Sequence, residues 1–172
     1  MDSTITISQR GEERIRDGHF WVYRSDIAGG RASPGDVVRV VGPRGRYLAR
    51  ALFSDRSQIT LRVLTQQDVA IDRNFWRRRL EQAIAFRDLL TIDANAYRIV
   101  HGEGDLLPSL VIDRYGDYLA VQALSQGMDR LLPAGGLLGQ RSVNGWWSTP
   151  HAVLRLDMAR ATASILSGVQ DL

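Results

Sequence analysis

Asp36-Val-Val-Arg-Val-Val41, Gly42-Pro-Arg-Gly45 and Arg46-Tyr-Leu-Ala-Arg-Ala-Leu-Phe53 follow one another without interruption. Two runs rich in β-branched and apolar residues flank a glycine- and proline-bearing tetrapeptide, so the segment predicts two strands joined by a tight turn. Downstream, Ile59-Thr-Leu-Arg-Val-Leu64 predicts a further strand. Upstream, Thr4-Ile-Thr-Ile-Ser8 alternates as a first strand. Glu12-Glu-Arg-Ile-Arg-Asp17 reads as a short polar helix stopped by Gly18, and His19-Phe-Trp-Val-Tyr23 as an aromatic strand. Gly29-Gly30 and Pro34-Gly35 are expected as turns. Short strands at this spacing imply a small β-barrel filling roughly residues 1–70.

The period then changes. Asp72 is placed to cap a helix reaching Leu90, with Trp76, Leu80, Ala83, Ile84 and Leu90 on its apolar side. Arg77, Arg78 and Arg79 start that helix, and Arg77 can pair with Glu81 one turn on. Tyr97-Arg-Ile-Val100 and Ser109-Leu-Val-Ile-Asp113 predict strands. Tyr115-Gly-Asp117 predicts a hairpin turn, and Tyr118-Leu-Ala-Val-Gln-Ala123 the returning strand. The fold class is therefore α+β, with a small barrel followed by a second α+β domain over residues 71–133. Residues 134–172 are atypical: Pro133-Ala-Gly-Gly-Leu-Leu-Gly139 and the Trp146-Trp147 pair show no clear period. Ala152–Leu156 is expected as a strand and Met158–Leu166 as a helix.

Composition limits the chemistry. The 172 residues are 44% hydrophobic and 24% charged, a globular mixture. No apolar run approaches the roughly 18–20 residues of a membrane span. The first residues lack the positive flank and apolar stretch of a signal peptide. A cytoplasmic location without membrane partners is expected. There is no cysteine, which excludes thiolate metal sites and thiolate nucleophiles in this chain. All 22 basic residues are arginine. Arginine binds phosphate through a fixed fork and stacks on flat rings, which suits RNA; coding in a GC-rich genome produces the same bias without any functional cause. Residues 1–65 hold 11 arginines against 7 acids, whereas residues 66–130 hold 8 against 10. A polyanion would land on the first third.

His19, His101 and His151 lie in separate segments with no ligand spacing, so no metal site is expected. Gly42-Pro-Arg-Gly45 is a hairpin turn by composition, and Gly102-Glu-Gly104 opens no helix. No cofactor loop is read. Binding is better supported than catalysis. His19, Phe20, Trp21, Tyr23 and Arg24 cluster on one strand and its end, where rings could stack on bases while arginines hold phosphates. Alternation sets Phe20 and Val22 on one face and Trp21 and Tyr23 on the other. Trp21 is read as barrel core.

These residues carry a resemblance. Gly18-His-Phe-Trp-Val-Tyr-Arg-Ser-Asp-Ile27, Pro34-Gly-Asp-Val-Val38 and Ser57-Gln-Ile-Thr-Leu-Arg-Val-Leu64 resemble the N-terminal PUA domain of the RlmI-like class I ribosomal RNA methyltransferases. Arg98-Ile-Val-His-Gly-Glu-Gly-Asp-Leu-Leu-Pro-Ser-Leu-Val-Ile-Asp-Arg-Tyr-Gly-Asp-Tyr118 resembles that family's central α+β domain, with Ser109 where a glycine is expected. The likeness runs from about residue 5 to about residue 133.

Full-length members of that family carry a Rossmann-like domain that binds S-adenosylmethionine, and they methylate cytosine at C5 in large-subunit ribosomal RNA. The resemblance thus implies RNA, ribosomal in origin, as partner, and S-adenosylmethionine as the cofactor of full-length members, with none bound by this chain. The expectation is a non-catalytic RNA-binding module lacking the catalytic domain. A shortened gene, a deliberately shortened chain and a stand-alone binding protein stay open as explanations. The RNA-facing candidates are Arg14, Arg16, His19, Tyr23, Arg24, Arg31, Arg56 and Gln58, with Tyr23 and Gln58 as base contacts. Glu103, Asp105, Asp113 and Arg114 resemble the family's central signature; they would either help to line the groove between RNA and the catalytic domain or cap turns and pair among themselves. Two alternatives remain: a fragment of an active methyltransferase, and a homodimeric interaction protein joined through Leu137, Leu138, Trp146 and Trp147.

Overall fold

The computed structural model describes residues 3–131 and the backbone of residues 151–155. The fold is α+β, in two compact units. Among the described residues, one runs up to Ile71 and includes Ser125–Gly127; the other takes Asp72–Leu124 and those from Met128 on.

The first unit contains β1 (Thr4–Ile7), α1 (Gln9–Arg16), β2 (Trp21–Tyr23), β3 (Ile27–Gly30), β4 (Val37–Val41), β5 (Tyr47–Phe53) and β6 (Ile59–Thr65). They form one sheet in the order β2-β6-β5-β4-β1-β3, antiparallel except for the β1–β4 pair. Its edge strands, β2 and β3, are separated in sequence only by the 3-10 turn Arg24–Asp26. So short a link forces the sheet to curl until its edges approach, giving a part-closed barrel. Ile5, Ile7, Val22, Val38, Val40, Ala51, Leu61 and Val63 fill its inside, with Ile15 of α1 packed among them. Register shifts in the β4–β5 and β5–β6 ladders mark bulges, and these bend the strands around that core.

Helix α1 starts at Ser8, whose hydroxyl accepts the Gly11 N–H (3.2 Å). It ends at Asp17, followed by Gly18 at φ +87°. Two expectations are corrected. Gly29-Gly30 is no turn but the end of β3, where a Cβ on Gly30 would overlap the Thr4 carbonyl oxygen and the φ is +98°. Glycine is needed there for close approach between strands. Trp21 is not core: it is 39% exposed while Val22 is fully buried. The inside is narrow, and alternation gives it Val22 instead.

The second unit contains α2 (Arg73–Leu89), β7 (Ala96–His101), β8 (Leu110–Tyr115) and β9 (Tyr118–Ala123). After α3 (Gln126–Leu131) comes β10 (His151–Arg155), and the sheet runs antiparallel in the order β10-β9-β8-β7. The Asp72 carboxylate caps α2 by accepting the Phe75 N–H (2.8 Å). Phe75, Trp76, Leu80 and Ala83 are buried, and Arg77 meets Glu81 at 3.8 Å. Leu90 departs from expectation. It is the C-cap residue, beyond the last turn of the apolar stripe, and stays half exposed. The expected strand near residue 152 is β10. The expected Met158–Leu166 helix and the residues proposed for a homodimer lie outside the described residues. Among the described residues no helix is long and apolar enough to cross a membrane.

Candidate nucleic-acid interface

In the first unit, β2 pairs with β6 so that Tyr23 stands opposite Ile59 and Trp21 opposite Arg62. Just past β2, the Arg24 N–H donates to the Gln58 carbonyl (2.8 Å). The Arg24 guanidinium donates to the carbonyls of Asp55 and Ser57, the latter at 3.3 Å. One arginine therefore clamps the whole turn that carries Arg56 and Gln58, both exposed. From α1, the Arg14 guanidinium lies over the Tyr23 ring, 5.1 Å from its centroid, which fixes that ring in the half-exposed position it occupies.

The structure thus groups Arg14, Tyr23, Arg24, Arg56 and Gln58 about the end of β2 and the start of β6. Arg16 and His19 sit at the end of α1: Arg16 pairs with Glu12, and the exposed His19 donates its N–H to the Arg14 carbonyl (2.9 Å). Arg31 stands past the other edge strand, β3, and is not drawn into this group. The sequence reading passed over three exposed arginines: Arg10, which meets the buried Asp26 at 2.7 Å, and Arg44 and Arg46 beside the β4–β5 turn. For Arg44 and Arg46 the sequence signal is charge in a glycine turn, whereas Arg10 lies within α1. Among the described residues Arg31, Arg44, Arg46 and Arg56 form no ion pair, while Arg39 and Arg50 both reach Asp68.

The central motif is built differently. Asp105 ends the 3-10 turn Gly102–Asp105, accepts two bonds from Arg87 of α2 (the longer 2.7 Å) and also accepts the His101 N–H (2.6 Å). Asp113 accepts two bonds from Arg98, at 2.7 and 3.0 Å. This hydrogen bonding holds the Arg98 pKa above the ordinary guanidinium value. Arg114 donates to the Gly116 carbonyl (2.9 Å) and to the Tyr97 hydroxyl (3.2 Å), and its charge lies over the Tyr97 ring. Glu103 is half-buried within the turn. Asp105 and Asp113 therefore pair with Arg87 and Arg98, neither of which had been singled out. Beside them an open groove of about 480 Å³ is lined by Ala96, Tyr97, Arg98, His101, Asp113, Arg114 and Tyr115.

The glycine-rich stretches are committed to other work. The Gly42–Gly45 segment closes the β4–β5 hairpin, with Gly45 N–H bonded to the Gly42 carbonyl (3.0 Å), and Gly102–Gly104 is part of a 3-10 turn. Neither opens a helix, so neither fits the phosphate- or nucleotide-cradling loop of a cofactor site.

The PUA-like domain family matches residues 5–66. Over 134 residues, 75% of the chain, the sequence is 42% identical to the ribosomal RNA large subunit methyltransferase I of Tolumonas auensis. The same-named proteins of Erwinia tasmaniensis and Escherichia coli are 39% and 37% identical over equal lengths. The chain is homologous to the N-terminal region of these ribosomal RNA methyltransferases. It spans about a third of the length of the curated methyltransferases it matches (34% of each). Two solved structures share the fold at 16% identity. One, with TM-score 0.67 over 76% of this chain and 34% of its own, is assigned as a methyltransferase and is complexed with SAH. The other, from Streptococcus mutans, is assigned as SAM-dependent, with TM-score 0.66 over 76% of this chain and 35% of its own.

Proposed function

We propose that this chain is an RNA-binding module, the substrate-recognition part of a system that methylates large-subunit ribosomal RNA. The observation that carries the reading is the group at the β2–β6 end of the PUA-like unit: Tyr23 braced by Arg14, beside the turn that Arg24 clamps. A ring held in place by a cation offers a face to an unpaired base with little ordering left to be done. Exposed Arg56, and the remaining donors of Arg24, supply phosphate contacts, and the Gln58 amide can read a base edge. Ribosomal RNA is the expected partner because the relatives are named for it.

On this reading the chain recognises substrate and contributes no catalytic group. Methyl transfer to a pyrimidine C5 needs a nucleophile added at C6, usually a thiolate, and no cysteine is present here. S-adenosylmethionine would act in the part of the methyltransferase relatives that this chain does not span.

The test is a fluorescence-anisotropy titration with a structured ribosomal RNA fragment at two salt concentrations, with a DNA duplex as control. The expected result is salt-sensitive binding that prefers RNA. Arg24→Ala combined with Arg56→Ala should weaken it about tenfold or more and reduce the log–log salt slope by about 2, one for each lost phosphate contact. Unchanged affinity and slope in the double variant, with an unchanged melting curve, would place the RNA elsewhere.

A further inference from the structure

The sheet of the second unit carries two aromatic rings that stay about half exposed among the described residues. Tyr115 and Tyr118 stand directly opposite each other across the β8–β9 hairpin, whose loop is Gly116-Asp117. They are 56% and 48% exposed. Alternation along β8 and β9 sets Asp113 and Ala120 on their side, while Leu119, on the other side, is fully buried. Tyr115 lines the groove, where Arg98 and His101 stand with it. Arg98 is held flat: Nε and Nη2 bond both Asp113 oxygens, Nη1 contacts His101 Nδ1 at 3.3 Å, and the side chain remains 44% exposed.

The Arg98–Asp113 pair is close to neutral, so the groove does not select for bare phosphate. A planar cation fixed edge-on by its partners leaves its face for stacking, as do two tyrosine rings of which only the hydroxyl tip is polar. On this side of the sheet Arg98 is neutralised by Asp113, so the two rings and the flat guanidinium, and not net charge, set the ligand, and the flat face of a base suits them. A sheet face with exposed aromatics beside fixed arginines is a platform for unpaired bases.

We propose that the face formed by Tyr115, Tyr118 and Arg98 is a stacking subsite for an unpaired nucleotide of RNA. This rests on the RNA-binding reading above and adds a second point of contact, one that works by stacking and not by phosphate pairing.

The experiment uses the full chain and a short unstructured RNA oligonucleotide, read by anisotropy at several salt concentrations. Tyr115→Ala combined with Tyr118→Ala should lower affinity roughly tenfold to a hundredfold, and Tyr→Phe at both positions should restore it. The salt slope should stay the same, because stacking releases no counterions. Replacing the bases by abasic positions should remove the difference between wild type and the Ala variant. Equal binding by wild type and a folded Ala variant overturns the subsite while leaving the arginine surface of the first unit standing. Absence of RNA binding by the wild type overturns both readings. A fall in light-scattering mass in the Ala variant, with RNA affinity unchanged, assigns the face to a second copy and likewise overturns the proposal.

Discussion

In the first unit, exposed Arg31, Arg44, Arg46 and Arg56 meet no carboxylate among the described residues, and Arg24 spends its fork on backbone carbonyls. In the second, Arg87 and Arg98 each hold an aspartate with two bonds. Those four exposed arginines of the first unit are left available, whereas Arg87 and Arg98 are tied down, as Arg10, Arg16, Arg39 and Arg50 are within the first unit itself. Unpaired arginines on a surface raise the local potential and contribute little to stability. Arginines locked to aspartates cancel that potential and fix loops instead. The two aspartates therefore serve the fold: Asp105 joins α2 to the turn after β7, and Asp113 joins β8 to β7.

The sharpest way to break this contrast is Asp105→Ala. Arg87 and Asp105 are only 11% and 10% exposed at their side chains. Removing the carboxylate strands a guanidinium and an N–H, and should destabilise the second unit by about 3 kcal/mol. Urea denaturation would measure it. A loss below about 1 kcal/mol would mean that the pair is not what holds the turn.

Asp113→Ala should cost less, about 1 kcal/mol in the same assay. Arg98 is 44% exposed and can be rehydrated once its partner is gone. If Asp113→Ala proves as damaging as Asp105→Ala, exposure is not what separates the two pairs.

Much of the strand pattern was legible because alternation and turn residues agree over residues 36–64, and the α2 cap was legible because Asp72 immediately precedes the helical period. What was missed has a tertiary cause. Strand β3 ends in Gly29-Gly30, a local turn signal that contact with β1 overrides. Helix α3 is only six residues long and contains Gly127, where a Cβ would lie 2.8 Å from the Leu52 side chain. The partners of Asp105 and Asp113 lie 18 and 15 residues away, a separation that leaves no periodic trace. One local irregularity was informative. Ser109, standing where glycine was expected, adopts φ +61°, a left-handed backbone that glycine tolerates better. Ser109→Gly should stabilise the second unit by about 0.5 kcal/mol. Ser109→Ala keeps the strain, loses the hydroxyl's bond to the Pro108 carbonyl (2.6 Å), and should destabilise it by about 1 kcal/mol. Opposite signs in thermal unfolding would confirm that backbone conformation sets the preference.

The smallest expected effect on stability is the most informative about function. Arg56 is exposed on the clamped turn, and its side chain has no acidic partner among the described residues. Arg56→Ala should therefore leave the unfolding free energy within about 0.5 kcal/mol of wild type. If Arg56 contacts phosphate, the same variant should lower the salt slope of RNA binding by about 1. Arg98→Ala should behave the other way, because losing its guanidinium leaves Asp113, whose side chain is only 16% exposed, without its bidentate partner. Stability should then fall by about 1 kcal/mol. Its phosphate-dependent slope should not change, since Asp113 already takes that charge. Measuring both variants in both assays separates an arginine free to pair with phosphate from one whose charge an aspartate already takes. A stability loss at Arg56, or a slope change at Arg98, would mean that exposure and pairing do not separate these two arginines as their geometry indicates.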